Sequence, residues 1–558
     1  MNVNSYARIA YAILVLLTFY IGIPSFAQSA EDSTDNTVNE QDKGHLTGSF
    51  ETNSIVYATD PASESATPDD KFGSNNYLKL DYYKKRFSAG LQLEGYYPAI
   101  LGHPSELKGT NLTSLYAGWQ NGRFSITAGT FYDQFGSGLL FRSWEDRALG
   151  INNSIIGARF SYNFKNIIGI KAIWGVPRYG MEYADTKIRG ADISFSFGDL
   201  FSWNDGSLSI EGSFVDKYEA ISDVLAEIGM KPNRDGYSLR LNGGYKGFFV
   251  KGEYVNSGQK YYDNPLSEST RDKYILHNGS AALIDLGYNG HGLGVQVNLR
   301  KLEWMDSKIY DAKESEINMI NYIPALCAQY SYMLTNINPY TPQTGIISGS
   351  GRNNSGEIGG QIDIFYYFKR GSAVGGKRGL KIHGNFSTYY TNYSSGWFSA
   401  GNILYRNLNI DVEKQFTKRF KSILFYALQE YNPSKGLQNN NLETSHIFIL
   451  DMTYKWSSSI SSRVELQYLL SPEKEDWAAF LAELNFAPKW SIYGSNMFNI
   501  GKDVSTTHYY NAGVSFTSGR VRLSLAYGRN RAGFICSGGV CRRMPGYTGL
   551  NFTLTTSF

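Results

Sequence analysis

Apolar and polar residues alternate with a period of two along most of this chain, as they do on a β-strand that has one apolar face. Near residue 520, for example, Val521 and Leu523 share one face of the predicted strand, and Arg520 and Arg522 share the other. A soluble antiparallel sheet shows the same alternation, so one strand alone does not identify a membrane protein. The pattern recurs in about 24 segments, with a range of about 20 to 26, and this repetition predicts an all-β chain that forms a single large antiparallel transmembrane β-barrel.

The connections between the predicted strands alternate between tight turns and longer segments. Tight turns join the strands in pairs, and long segments separate the pairs. Bacterial outer-membrane barrels have this rhythm, with short turns in the periplasm and long loops outside the cell. Because the predicted number of strands is even, both ends of the barrel chain are expected in the periplasm. The clearest predicted turns are Lys84-Lys85-Arg86, Asn121-Gly122, Lys246-Gly247, Asn289-Gly290 and Ser518-Gly519.

The last predicted strand, Tyr547 to Phe558, has no charged residue and ends on an aromatic residue. Leu550, Phe552 and Leu554 lie on one face of it, so this face is suited to lipid. Closing a barrel removes the open sheet edge that lipid does not tolerate. We expect this strand to close the barrel and to present Phe558 to the barrel-assembly machinery of the outer membrane.

Residues 1–27 have the pattern of a cleaved signal peptide. Arg8 precedes an uncharged apolar run, and Ser25-Phe26-Ala27 provides a cleavage site with small residues. A membrane anchor is the alternative, but the run is short for a span of about 20 residues. Residues 28–44 are acidic and poor in large apolar residues, so we expect a flexible periplasmic lead that is too short for a folded plug domain. The barrel is then expected over residues 45–558.

Composition agrees with a barrel. Aromatic residues make up 15% of the chain, and 58 Gly stand against only 15 Pro, so strand-forming and turn-forming residues are both abundant. After the N-terminal run, no stretch is long and apolar enough for a transmembrane helix. No shift in composition divides the 558 residues into soluble domains. The net charge of +3 gives no sign of nucleic-acid binding.

The connection from Asp133 to Ile151 is the richest in charge. It contains Arg142, Glu145, Asp146 and Arg147 beside flexible glycines. If this loop folds into the lumen, charges of both signs form a constriction that selects permeating solutes. The alternative is a salt-bridged loop that only packs on the barrel wall, because surface ion pairs are common and weak.

Alternation assigns further charged residues to the lumen. Polar positions point inward when the apolar face of the same strand meets lipid. Because these positions carry both signs, a pore that they line is expected to be only weakly ion-selective. The residues assigned to the lumen in this way are Arg240, Arg300, Arg463, Glu465, Arg520 and Arg522.

The chain contains three cysteines. Cys536 and Cys541 lie in the last long connection, at a spacing that lets a turn bring their Cα atoms within disulfide range. In an exported protein we expect a disulfide that pins this outer loop. Free thiols and a metal pair are the alternatives, although no His lies nearby in the sequence. Cys327 is left over and is expected to be buried.

No enzymatic signature is present in the sequence. It has no His-Glu-x-x-His, no Gly-x-Ser-x-Gly and no phosphate-binding glycine loop, and its seven His residues are scattered. We therefore expect neither catalysis nor a bound cofactor or metal. Apolar residues at helical spacing from Ile221 to Ile228 predict a short amphipathic helix that packs on the barrel or its loops, with partner recognition as the alternative.

Four stretches resemble a family of Bacteroidota outer-membrane β-barrel proteins that is known only as a domain of unknown function. The stretches are FGSGLLFRSWEDRALGINNSIIGARF (residues 135–160), NYIPALCAQYSYMLTNINPYTPQTG (321–345), GSAVGGKRG (371–379) and RAGFICSGGVCRRMPGYTGLNF (531–552). The resemblance extends over essentially the whole mature chain. It implies a porin-like barrel and no particular activity.

The function that the sequence favours is a passive channel for small solutes, narrowed by its own loops, in the outer membrane of a Gram-negative bacterium. An open barrel of this size would breach the membrane, so loops or a partner must fill it. The candidate loops are residues 133–151, 215–236 and 305–354. A structural or docking barrel for an envelope secretion or surface-display complex is the alternative, and an outer-membrane hydrolase is a third hypothesis.

Overall fold

The computed structural model describes residues 44–558, apart from residues 64, 66–67, 266, 268–272, 314, 346–353, 393–399, 438–441 and 502–505. The predicted signal peptide and nearly all of the predicted lead, residues 1–43, lie outside the described residues.

Among the described residues, 24 antiparallel strands form one closed barrel, which confirms the predicted fold class and strand number. Each strand pairs with its neighbours along the chain, and the last strand also pairs with the first, so the sheet has no open edge. The barrel strands are β1 (His45–Tyr57), β2 (Phe72–Lys84), β3 (Phe87–Tyr96), β4 (Gly109–Asn121), β5 (Phe124–Phe131), β6 (Ile155–Phe164), β7 (Ile168–Tyr179), β8 (Lys187–Ser196), β9 (Gly206–Tyr218), β10 (Asn233–Tyr245), β11 (Phe248–Asp263), β12 (Tyr274–Gly290), β13 (Leu293–Glu303), β14 (Gly356–Phe368), β15 (Leu380–Asn392), β16 (Ala400–Gln415), β17 (Phe420–Tyr431), β18 (Glu443–Lys455), β19 (Ile460–Leu470), β20 (Asp476–Phe486), β21 (Trp490–Ile500), β22 (His508–Ser518), β23 (Val521–Asn530) and β24 (Tyr547–Ser557).

The predicted closing strand closes the barrel. Phe552 of β24 lies opposite Ser54 of β1 on one side and Leu525 of β23 on the other. A strand without charge is therefore paired along both of its edges, and its backbone polar groups are satisfied by its two neighbours.

One end of the barrel carries mostly short connections, and we call it the turn end; the opposite end, with the longer connections, is the loop end. Lys246 and Gly247 have φ of 45° and 88°, and His291 and Gly292 have φ of 55° and 84°. Positive φ at both central residues is what a two-residue hairpin turn of type I′ requires. The turn predicted at Asn289-Gly290 therefore lies two residues later than expected.

Two connections at the turn end are longer than the predicted rhythm allows, so the expectation that long segments occur only at the other end is wrong. Residues 197–205 contain the helix α1 (Phe197–Leu200), and residues 369–379 contain a 3₁₀-helix (Gly376–Arg378). At the loop end, the predicted short helix is present as α2 (Asp223–Glu227), within the stretch from residue 221 to 228. Its Leu225 is buried.

The loop-end connections also contain short elements. Two small hairpins lie between β5 and β6, and a third lies between β23 and β24. The elements are the strands Gln134–Phe135, Phe141–Arg142, Glu145–Asp146, Ile151–Asn152, Glu182–Tyr183, Gly533–Ser537 and Val540–Met544, and the 3₁₀-helix Met333–Asn336.

The wall has the two faces that alternation predicts. On β10 the outward Leu239 and Leu241 are 60% and 45% exposed, whereas the inward Ser238 and Arg240 are buried. The apolar face thus points away from the lumen and the polar face into it. No helix among the described residues is long and apolar enough to cross a membrane.

Candidate functional site: the filled lumen

The connection between β5 and β6, residues 132–154, folds into the barrel, and we call it the first lumen segment. Asp133 accepts a hydrogen bond from Nε of Arg159 on β6, at 2.6 Å. The Ser137 amide donates to Glu253 Oε2 on β11, at 3.1 Å. At its other end, Arg147 donates to Glu51 on β1, at 2.7 Å. The segment therefore reaches from β11 across to the first strand of the barrel.

Glycines allow this segment to approach the wall closely. Gly136 and Gly138 have φ of 55° and 91°, in the left-handed region that favours glycine. A Cβ at Gly136 would lie 2.5 Å from Oε1 of Glu253 and 2.6 Å from Cδ of Arg240. Next to these glycines, Phe135 is fully buried, and the small hairpin there turns it into the core of the filled lumen.

The second lumen segment is residues 304–345, from the connection between β13 and β14. Near its start, Thr186 donates to Ile309 O at 2.9 Å, which places this part beside β8. Further along, the Leu334 amide donates to Gln467 Oε1 on β19 at 3.1 Å, and Gln429 on β17 donates to Thr335 O at 3.3 Å. The segment thus contacts strands on far sides of the ring.

The two lumen segments are bonded to each other. The Arg142 amide donates to Ile320 O, and the Tyr322 amide donates to Gly138 O, both at 2.9 Å. Asn153 is completely buried and donates to Met319 O at 2.7 Å. Because backbone and side-chain bonds join them, the two segments form one packed unit inside the barrel.

The disulfide hairpin, residues 533–544, rests on this unit. Cys536 and Cys541 are joined by the predicted disulfide, with their Cα atoms 4.0 Å apart. The Ala325 amide donates to Gly539 O at 2.8 Å, and Arg542 donates to Leu149 O at 2.6 Å. The hairpin therefore touches both lumen segments from the loop end.

The four residues predicted to form a constriction are all in the first lumen segment, but they face different partners. The Arg142 guanidinium lies 3.8 Å from the ring centroid of Tyr322 in the second segment. Glu145 accepts from Gln92 on the wall at 2.9 Å and from Arg147 at 3.1 Å. Asp146 accepts from the Leu149 amide at 3.0 Å within the segment. The four charges are tied to the wall and to neighbouring loops rather than arranged as one ring.

The residues assigned to the lumen by alternation lie at different depths. Nε of Arg240 donates to Glu211 at 2.8 Å, and Arg300 donates to Glu357 at 2.6 Å, with all four groups on inward positions of the wall. Arg463 pairs with both Asp451 and Glu465. Arg522 is exposed, on the face of β23 opposite the outward Leu523 and Leu525. Arg520 lies in the two-residue turn before β23 rather than on the strand.

Inward side chains are buried in the loop half of the barrel and more exposed in the turn half. On β9, Ser213 and Lys217 are buried, whereas Ser207, near the turn end, is exposed. On β11, Glu253 is buried and Lys251, the next inward position toward the turn end, is exposed. The lumen segments therefore occupy the loop half, and we call the polar turn half of the lumen the vestibule.

Tyrosines of the second lumen segment contact charged side chains of the wall. The Tyr330 hydroxyl donates to Asp411 at 3.3 Å, and His383 lies between Asp411 and Asp363, at 2.7 and 2.8 Å. Tyr332 donates to Asp451 at 3.3 Å. Sequence reasoning missed this cluster, because its members come from one connection and four strands and meet only in the folded barrel.

A second missed feature is a buried ion pair at the loop end. Arg178 donates two hydrogen bonds of 2.7 Å to Glu94, and the two side chains are 2% and 1% exposed. Arg178 follows Pro177 at the end of β7, where no pattern in the sequence indicated its role. The pair ties β3 to β7 beside the first lumen segment.

Cys327 remains a free thiol in the second lumen segment. It packs with Tyr340, Tyr389 and Tyr405, and burial raises its pKa to about 12. A thiol with so high a pKa is a poor nucleophile at neutral pH. In the described part of the chain, no group of three or more His, Cys, Asp or Glu side chains is arranged to hold a metal ion.

Small gaps remain between the lumen segments and the wall. One has a volume of about 40 Å³ and is lined by Lys217, Arg234 and Lys260 of the wall and Asp311 of the second lumen segment, among others. Another, of about 20 Å³, lies beside Gln429. Gaps of this size hold one or a few water molecules.

The sequence profile of a protein family described as "Family of unknown function (DUF6029)" matches residues 7–558. The chain belongs to this family. The match covers the barrel, both lumen segments and the disulfide hairpin, so these features are all part of the DUF6029 region. The family carries no assigned activity. No curated protein sequence matches the chain.

Solved structures of outer-membrane barrels are similar to this DUF6029 protein only at a coarse level. The translocation pore of the P pilus usher PapC is 10% identical with a TM-score of 0.41, over 92% of this chain and 99% of that one. The copper transporter OprC is 10% identical with a TM-score of 0.40, over 93% and 81%. OccAB4 of Acinetobacter baumannii is 9% identical with a TM-score of 0.33, over 93% and 100%.

Proposed function

We propose that this protein is a passive channel for small polar solutes in the outer membrane of a Gram-negative cell, narrowed by its own lumen segments. The proposed location is supported by the closed barrel and its apolar outward face, since a spanning sheet must have no open edge. The turn end faces the periplasm in this proposal, as short connections do in outer-membrane barrels.

The observation that carries the proposal is the path of the two lumen segments. They come from the chain itself, they bond to each other, and between them they contact β1, β9, β11, β17 and β19. A filled loop half above a polar vestibule leaves narrow, water-sized gaps between the described parts of the segments and the wall, so large solutes are excluded from the proposed route.

The charges along this route support weak ion selectivity. The vestibule holds Lys251, Lys381 and Arg522 together with Glu413 and Glu483, so neither sign dominates. A pore lined by both signs does not strongly exclude either cations or anions.

Conductance in planar bilayers tests the proposal. The intact protein should give small, steady currents with little preference between cations and anions. A variant in which residues 138–147 are replaced by a short Gly-Ser linker loses the bonds to Ile320 and Tyr322 and should conduct several times more. As a control, the same replacement of residues 220–229, around α2 outside the lumen segments, should leave the conductance unchanged.

Two results would contradict the channel. If the intact protein and the 138–147 variant both leave the bilayer silent, the alternative of a docking barrel for an envelope complex takes its place. If the control variant enlarges the conductance as much as the lumen variant does, the first lumen segment is not the constriction.

A further inference from the structure

The two ends of the barrel differ in charge. The connections at the turn end contain 13 Lys or Arg, two Asp and no Glu. The connections at the loop end contain 22 Asp or Glu and 16 Lys or Arg. The net charge of the chain is small, so this separation is a property of the fold and not of the composition.

The positive charge is densest in two connections that lie next to each other. We define the basic cluster as Lys369, Arg370, Lys377 and Arg378, between β14 and β15, with Lys418 and Arg419, between β16 and β17. Neither connection contains an acidic residue. Within the described part of the chain, none of the six has an ion-pair partner, and all but the half-buried Arg378 are exposed.

A hydrogen bond ties the longer connection to β16, the strand that leads into the other connection. Lys414, on the outward face of β16, donates to Gly375 O of the longer connection at 2.7 Å. This bond holds residues 369–379 against the end of β16, next to the turn that follows it. Six cations on one surface without a counter-charge repel each other, and an anionic partner relieves that repulsion.

Exposed apolar side chains lie beside the cluster. Phe416 is 57% exposed and packs on Phe420, with ring centroids 5.5 Å apart. Val374, in the middle of the longer connection, is 54% exposed. Aromatic residues at the edge of a spanning sheet mark the level of the lipid headgroups.

Other cations around the turn end also lie over outward aromatic rings. Nζ of Lys246 is 5.1 Å from the ring centroid of Tyr245, and Nζ of Lys165 is 5.6 Å from that of Phe164. Both rings are on the outward face, 57% and 39% exposed. The cations are therefore held beside the membrane boundary rather than over the mouth of the lumen.

From these positions we infer that the turn end binds the phosphate headgroups of anionic phospholipids, with the basic cluster as its strongest site. Clusters of several Lys and Arg next to a membrane span attract anionic lipid, and Arg pairs well with phosphate oxygens. The neighbouring Phe416 and Val374 favour a lipid over free phosphate, because they offer contact to acyl chains. The inference rests on the proposed membrane location but not on channel activity.

Lipid binding to the full-length protein in an uncharged detergent tests this inference. Native mass spectrometry would count bound phosphatidylglycerol and phosphatidylcholine of equal chain length across a titration. The unmodified protein should prefer phosphatidylglycerol, and the preference should fall as salt is raised. This first measurement needs no variant.

A pair of variants then locates the site. Replacing all six residues of the basic cluster by Gln should weaken phosphatidylglycerol binding by at least about tenfold. In the matched control, six exposed lysines of the loop end are replaced by Gln, which removes the same amount of positive charge. This control should bind phosphatidylglycerol as tightly as the unmodified protein does. The control residues are Lys71, Lys108, Lys231, Lys273, Lys435 and Lys474.

Three outcomes would overturn the inference. Equal affinity for the two lipids would remove the preference itself. An equal loss in both variants would assign the effect to net charge and not to the cluster. Inorganic phosphate that binds as tightly as the lipid and displaces it would show a free-anion site. Because binding is read without current, a silent bilayer in the conductance experiment leaves these results unaffected.

Discussion

The loop half and the turn half of the lumen are built from the same strands but differ in what their inward side chains meet. In the loop half, the Arg300–Glu357 pair is 1% and 0% exposed, and Glu357 also accepts from the Gln343 amide of the second lumen segment at 2.7 Å. In the vestibule, the Lys381–Glu413 pair is 61% and 29% exposed. The alternating wall is common to both halves, so the difference comes from the lumen segments.

From this comparison we predict that the same substitution costs more unfolding free energy in the loop half than in the vestibule. A buried charge that loses its partner keeps its desolvation cost, whereas an exposed charge is compensated by water. Residues of the loop half should therefore control the stability of the filled lumen, and residues of the vestibule should not.

The largest effect is expected at Glu357. Glu357→Leu leaves the Arg300 guanidinium buried without its carboxylate and should cost about 3–5 kcal/mol of unfolding free energy. The matched change Glu413→Leu, in the vestibule, should cost no more than about 1 kcal/mol. Urea unfolding in lipid vesicles, followed by tryptophan fluorescence, measures both. Equal costs would remove the distinction between the two halves.

The next effect concerns the asparagines that join the lumen segments. Asn153 of the first segment donates to Met319 O of the second at 2.7 Å, and Asn321 of the second donates to Leu139 O of the first at 3.2 Å. Asn153→Ala and Asn321→Ala each leave buried backbone groups without partners and should cost about 1–3 kcal/mol. Both should also raise proteolysis of residues 304–345. Asn485→Ala, in the vestibule, is the control and should change neither quantity; a similar loss there would contradict the prediction.

Loss of the disulfide should have a smaller and local effect. Because it closes only a short loop, we expect the double variant Cys536→Ser, Cys541→Ser to lose about 2 kcal/mol or less. Hydrogen exchange should increase at residues 322–325, on which the hairpin rests, and stay constant in the strands. In the unmodified protein, mass spectrometry without reduction should find both cysteines in one crosslinked peptide. Labelling of both by a thiol reagent without reduction would reject the bond.

The smallest effect is expected when the pH is lowered and His103 becomes protonated. Burial, aided by Arg542, lowers the pKa of this histidine from 6.5 to about 4. Since the unfolded chain binds the proton more readily, the stabilisation is complete above pH 6.5 and is lost as the pH falls toward 4. Hydrogen exchange of residues 97–108 should therefore increase over this range. The variant His103→Gln should show no such increase between these pH values; an unchanged pH response would exclude His103 as its source.

The barrel was predictable from the sequence because alternation is a local property. A few residues around Leu239 and Ser238 are enough to separate the apolar face of the strand from its polar face. The uncharged sequence of β24 indicated which strand closes the barrel. The number of strands followed from counting such segments. The disulfide was also predictable, since a short spacing limits the geometry of Cys536 and Cys541.

The contents of the lumen were only partly predictable. Charge and glycine marked residues 133–151 as one candidate for a loop that enters the barrel, but the partners of this loop depend on distant contacts such as Arg147 with Glu51. Segment 215–236, also a candidate for filling the lumen, includes the ends of β9 and β10, and Glu219 between them accepts a hydrogen bond from the Asp311 amide of the second lumen segment at 3.2 Å. The 371–379 stretch gave no periodic signal, because a connection built on glycine turns has no alternating face.

The most direct test of a filled loop half above an open vestibule is the reactivity of two inward positions on neighbouring strands. Ser238 on β10 is 1% exposed, and Lys251 on β11 is exposed. Ser238→Cys and Lys251→Cys, each with Cys327→Ser, would be treated with a polar thiol reagent in lipid nanodiscs. We predict fast labelling at position 251 and protection at position 238. Replacement of residues 138–147 should remove the protection at position 238. Equal labelling at both positions in the otherwise intact barrel would contradict a lumen filled by its own segments.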